Sequence, residues 1–96
     1  MDIRSDLKQG CPLLFDGAMG TYFASLPDRV EERCERACLD HPEEVRAIHR
    51  AYLEAGCRAV KTNTFSVGAD LAQGDENSAE EIINAACRLA QEEASA

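Results

Sequence analysis

Apolar residues fall in short blocks along this chain, divided by charge, proline and glycine. Leu13, Leu14 and Phe15 make a brief continuous run between Pro12 and the Asp16-Gly17 pair, which predicts a buried strand. Residues 1–10 are a short, mostly polar lead-in of about one helical turn closed by Gly10. Residues 21–39 carry no single period; Pro27 breaks them, and the charges from Asp28 to Arg36 predict solvated helical turns. Val45, Ile48, Tyr52 and Ala55 then recur at helical spacing, with Arg46, Arg50 and Glu54 on the opposite face. Asp40 is the expected N-cap of that helix, with Pro42 in its first turn, Glu43 completing a capping box and Gly56 ending it. Cys57 to Phe65 is rich in small and β-branched residues and predicts a second strand in its first half. After a loop with Gly68 and Gly74, Ser78 and Glu81 form another capping box. Ile82, Ile83, Ala86, Leu89 and Ala90 then make a second helical stripe.

The order strand, loop, helix, strand, loop, helix predicts an α/β fold. Two βα units would have parallel strands joined by a right-handed crossover helix. Both post-strand loops would then leave the same edge of the sheet, where ligands bind in parallel α/β folds. Asp16–Gly20 and Thr62–Phe65 are therefore expected to be neighbours.

Each of those loops has candidate chemistry. Asp16-Gly17-Ala18-Met19-Gly20-Thr21 sets one carboxylate beside two glycines. Glycines let backbone N–H groups approach an anion, while Asp16 can accept from an ammonium group; together they suit a zwitterion such as an amino acid. The alternative is a turn in which Asp16 caps the following backbone. No Gly-Lys-Ser/Thr follows, so this is not a phosphate loop of the Walker type. Thr62, Asn63 and Thr64 are either a solvated turn or the second polar wall of a site at the same edge.

Composition narrows the partners. Ten basic against 18 acidic residues give −8, which disfavours nucleic acid and anionic membrane surfaces. No run approaches the ~20 apolar residues of a membrane span. The acidic start lacks the apolar core of a signal peptide, so the expected location is the cytoplasm. Five cysteines without an export signal read as reduced thiols. Cys34, Cys38 and His41 offer three possible metal ligands within eight residues but no fourth in reach, and no metal site is expected from them. Cys38, Cys57 and Cys87 read as packing residues and His49 as a helix-surface residue. Glu31–Glu35 and the pair Glu92-Glu93 read as solvated faces.

Three segments in register are similar to the homocysteine S-methyltransferase family: Leu14-Phe15-Asp16-Gly17-Ala18-Met19-Gly20-Thr21, the helix Pro42 to Gly56, and Thr62-Asn63-Thr64-Phe65. The helix from Glu81 onward also resembles the family's next helix. The resemblance implies the first two βα units of a (β/α)8 TIM barrel that transfers a methyl group to homocysteine, giving methionine. A full barrel needs about 250 residues, so the resemblance makes this chain an incomplete, truncated barrel domain, inactive alone. Its remainder would then be another segment or subunit. Asp16, Gly17, Ala18 and Met19 with Thr62, Asn63 and Thr64 would line the homocysteine pocket. The family's zinc would bind the substrate thiolate through cysteines that this chain does not supply. Cobalamin and methyltetrahydrofolate would enter through other domains in a methionine synthase. Lys61 departs from the Glu common in the family, and Ser66-Val67-Gly68-Ala69-Asp70 departs from its usual run, both bearing on donor and substrate detail. A free-standing βαβα interaction or regulatory module, binding an amino-acid-like ligand or a partner barrel, is the competing reading.

Overall fold

The computed structural model describes residues 3–10, 13–29, 33–68, 74 and 76–95. The parts of the Ser66–Asp70 and Glu31–Glu35 runs at 69–70 and 31–32, together with Cys11 and Pro12, lie outside them. Among the described residues the helices α1 (Ile3–Lys8), α2 (Gly20–Ala24), α3 (Ala37–Asp40), α4 (Pro42–Glu54) and α5 (Glu76–Ala94) follow one another.

The expected sheet does not form, and the two βα units of a barrel are corrected accordingly. Among the described residues there is no strand, only an isolated parallel bridge between Phe15 and Ala59. Three backbone bonds support it: Asp16 N–H to Ala59 O at 3.0 Å, with Arg58 and Ala59 N–H to Leu14 O at 2.8 and 3.3 Å. The physical reason lies in burial. A two-stranded parallel pairing has too few backbone bonds to persist alone and needs cover on its faces. Here Leu14 is 57% and Phe15 58% exposed, so the run expected to be buried faces solvent.

Burial goes to the helices instead. On α4, Val45 and Ile48 are fully buried, as the stripe predicts. They meet Ala85, Ala86 and Leu89 of α5, with Phe23 of α2 and Ala37 and Cys38 of α3 in the same cluster. The alanines give α5 a low surface on which the larger α4 side chains can seat closely. A smaller cluster joins Val67, Ala79 and Ile82, with Leu39 against it. Ile83, a member of the expected stripe, is exposed instead. No helix among the described residues is long and apolar enough to cross a membrane.

Helix ends differ from the capping expectations at both starts. Asp40 ends α3, and His41 occupies the N-cap of α4 without a side-chain capping bond. Ser78 lies inside α5, which begins two residues earlier at Glu76. The α4 C-terminus is as expected. Gly56 takes φ +112°, its N–H bonds Leu53 O at 3.1 Å, and Cys57 N–H reaches back to Tyr52 O at 3.2 Å, the paired pattern of a Schellman end.

Three residues assigned to solvent turn inward. Glu93 and Glu35 are buried, as is His49. Glu93 is held by Arg50 at 2.7 Å, and Arg46 pairs with Glu92, so cations of α4 flank the core and close onto α5. Arg29 makes a forked pair with Glu44 at 2.6 and 3.1 Å, fastening the segment after α2 to the start of α4. Cys87, read as a packing residue, is exposed instead.

His49 has no hydrogen-bond partner for either ring nitrogen among the described residues. Burial lowers its pKa from the ordinary 6.5, outweighing the opposing pull of Asp16 and Glu93. The unfolded chain therefore takes up a proton that the folded chain refuses. The stability so gained is full above the unfolded pKa and is lost as pH falls through it. The melting temperature should drop between about pH 7 and about pH 5, and the His49→Leu variant should lose much of that slope; parallel profiles for the two proteins would refute the assignment. Leu89→Ala should cost about 2–5 kcal/mol by opening a cavity between α4 and α5. Urea unfolding reads this directly, and a loss under about 1 kcal/mol would show that the helices do not depend on this contact.

Candidate functional site

The bridge at Phe15 and Ala59 fixes where the two candidate loops begin. One residue beyond Phe15, the Asp16 carboxylate is buried and its Oδ1 accepts the Lys61 N–H at 3.1 Å. Lys61 Nζ stands 3.7 Å from the same oxygen. Asp16 thus ties one loop to the other rather than capping the backbone that follows it.

Gly17 then passes against Tyr52 of α4. A Cβ at position 17 would lie 2.9 Å from the Tyr52 hydroxyl oxygen and 3.0 Å from its ring, so any side chain there would push Tyr52 aside. The same hydroxyl donates to Ala18 O at 2.8 Å. The Tyr52 ring also meets Tyr22 edge-on, with centroids 5.7 Å apart. Sequence patterning counts Tyr52 as a core position, but its hydroxyl holds the loop.

Asn63 anchors the opposite segment. Its side-chain amide donates to Cys34 O at 2.6 Å and to Cys38 Sγ at 3.5 Å, while its Oδ1 accepts from Cys34 Sγ at 3.5 Å. The residue is buried, so these bonds satisfy an amide that would otherwise be stranded. Thr62 and Thr64 flank it, their hydroxyls 2.9 Å apart, and Thr64 N–H bonds Thr62 O at 3.0 Å.

Between these segments lies a cleft of about 480 Å³. Asp16, Gly17, Ala18 and Met19 line one side, and Thr62, Asn63 and Thr64 line the other, so all seven sequence-derived candidates meet there. Gly20, Cys34, Glu35, Lys61 and Phe65 complete it. Phe65 is 99% exposed at the rim. Patterning misses Cys34 and Glu35 because their stretch has the composition of a solvated face.

Glu35 is the second buried carboxylate of the cleft. Burial works to raise its pKa, but hydrogen bonds from its own N–H, the Ser66 hydroxyl, the Cys34 thiol and the Ser66 N–H outweigh it. The net result is a pKa below the usual 4.5. Ser66 N–H lies 3.2 Å from its Oε2, and Arg33 Nε lies 3.8 Å from its Oε1.

The nearby thiols are the reverse case. Burial, then the Glu35 charge, pushes Cys34 up to about 11. Burial also pushes Cys38 up to about 11, against the hydrogen bond from Asn63. Both are protonated at neutral pH and engaged with Asn63. Among the described residues no group of three His, Cys, Asp or Glu side chains is placed to hold a metal ion. The zinc implied by the family resemblance does not fit these residues, and no chemical step is assigned through it. What the cleft can do is bind: it offers two carboxylates, one amine-bearing side chain, hydroxyls and an apolar rim.

Comparisons with known proteins agree on one family. The S-methylmethionine–homocysteine S-methyltransferase of Pongo abelii is 40% identical over 56 residues, covering 58% of this chain and 15% of that protein. The betaine–homocysteine S-methyltransferase of Danio rerio is 38% identical over 60 residues with the same two shares. That of Sus scrofa is 34% identical over 62 residues, covering 58% of this chain and 22% of that protein. The chain thus spans only 15–22% of the length of these curated relatives. No solved structure matches it. The sequence model of homocysteine S-methyltransferase matches residues 13–96, the greater part of the chain, and the chain belongs to that family.

Proposed function

We propose that this chain supplies the substrate-holding wall of an enzyme that moves a methyl group onto the sulfur of homocysteine. The observation that carries the reading is the meeting of the Asp16–Met19 loop and the Thr62–Thr64 segment across one cleft, in a chain of this family.

Homocysteine presents an ammonium group, a carboxylate and a thiol on a short carbon stem. Asp16 accepts from the ammonium group, a charge-assisted bond in a site where the carboxylate is largely out of water. Thr62 and Thr64 hydroxyls, with backbone N–H groups of the Gly17–Met19 loop, donate to the carboxylate. Met19 and the exposed Phe65 ring cover the stem. In the transfer, the bond between the methyl group and its donor breaks and its electron pair leaves with the donor. The new carbon–sulfur bond uses a sulfur lone pair, and the thiol proton is lost. This chain's residues orient the amino-acid end so that the sulfur faces the donor, a contribution of positioning. Cys34 and Cys38, protonated and tied to Asn63, take no part as nucleophile or base.

Phe65 at the cleft rim, and Leu14 and Phe15 leading into the Asp16 loop, are exposed apolar side chains suited to cover by a further protein segment. That segment would also exclude water from the reacting sulfur.

Calorimetric titration with L-homocysteine tests the reading. Asp16→Asn keeps the acceptor for the Lys61 N–H but removes the charge, and should weaken binding at least about tenfold. Undiminished affinity in that variant would overturn the proposal.

A further inference from the structure

We propose that Lys61 is a specificity-determining residue of this cleft, restricting it to ligands that carry an ammonium group and a carboxylate together. This rests on the homocysteine reading above and deepens it.

Among the described residues Lys61 is the only cation that lines the cleft, against two buried carboxylates, Asp16 and Glu35. The carboxylates are not equivalent. Glu35 is already committed to the Ser66 N–H and lies beside Arg33. Asp16 is held by the Lys61 backbone, while the Lys61 ammonium group stands off at 3.7 Å, close enough for attraction but too far for a hydrogen bond. The Lys61 side chain is 62% exposed, so its four-carbon stem can swing at small cost.

An ammonium group arriving at Asp16 takes the place of a like charge. Lys61 then gives up its partner to water, and an anion within a stem's reach restores an ion pair. An amino acid brings one, so both charges of the pocket and both charges of the ligand end paired. A plain amine satisfies Asp16 but strands Lys61 beside a second cation. A plain acid must compete with Asp16 for Lys61. The cleft therefore discriminates by what it leaves unpaired as much as by what it binds. Glu35 reinforces this, since its charge makes a lone carboxylate a poor guest.

The test compares two ligands on the full chain by calorimetry: L-homocysteine, and the aminothiol that homocysteine leaves on decarboxylation. Lys61→Met should weaken homocysteine binding about fivefold, the scale of an exposed ion pair. The same variant should leave the aminothiol unchanged or bound more tightly, because a repelling charge is gone. Lys61→Arg should retain the wild-type preference. A shift of the same size and sign for both ligands, or for neither, overturns the role of Lys61. If homocysteine binding falls in Asp16→Asn but stands in Lys61→Met, the homocysteine reading survives and this inference does not. Wild-type protein that binds neither ligand removes both.

Discussion

Everything in this molecule hangs from the seam between α4 and α5. A chain of 96 residues has little apolar surface to bury, and with no sheet among the described residues to share the load the two long helices must supply most of it for each other. Val45 and Ile48 meet a bed of Ala85, Ala86 and Leu89, while ion pairs from Arg46 and Arg50 close one margin. Phe23 and Cys38 seat the two short helices on the same cluster. Helices of four or five residues have no stability of their own and exist because the seam gives them somewhere to pack.

The cleft is built onto this core by polar cross-ties. Asp16 bonds across to the Lys61 backbone, Asn63 bonds across to the Cys34 carbonyl, and Tyr52 bonds up to Ala18. Each tie joins segments 29 to 45 residues apart. A single Phe15–Ala59 bridge is enough to align them only because these side chains complete the register that a ladder would otherwise set. Buried polar groups in such a network are costly to leave unmatched, so the same bonds that shape the cleft also specify one arrangement of its walls. His49 stands outside this network, buried within the electrostatic reach of Asp16 and Glu93 with neither nitrogen bonded among the described residues.

How much of this is legible in the residues depends on the kind of signal each element carries. The α4 stripe and its Gly56 stop are local, period-based signals, and both correspond to what forms. The convergence of Asp16–Met19 with Thr62–Thr64 was expected from strand order; the cleft does gather them, although by side-chain ties across one bridge rather than by a sheet edge. The strands themselves misled because Leu13-Leu14-Phe15 reports only that a segment is apolar, and whether it is buried depends on neighbours that no local window contains. Glu35, His49 and Glu93 are the same lesson in reverse. Charge predicts exposure until a specific partner or a crowded helix face offsets it, and for Glu35 that partner, Ser66, lies 31 residues away. Capping boxes at Asp40 and Ser78 were overridden because α3 and the start of α5 extend through those positions.

The contact of Gly17 with Tyr52 joins the floor of the cleft to the core in a way that leaves neither free. The aromatic ring acts as a mechanical stop beneath the loop, and its hydroxyl as a latch above that stop. A rotation of α4 about its own axis, of the sort that repacking at Ile48 or Val45 would produce, lifts or drops the stop and carries the loop with it. Tuning of the cleft surface can therefore arise from interior substitutions, and the geometry of that surface is inherited from the helix beneath it.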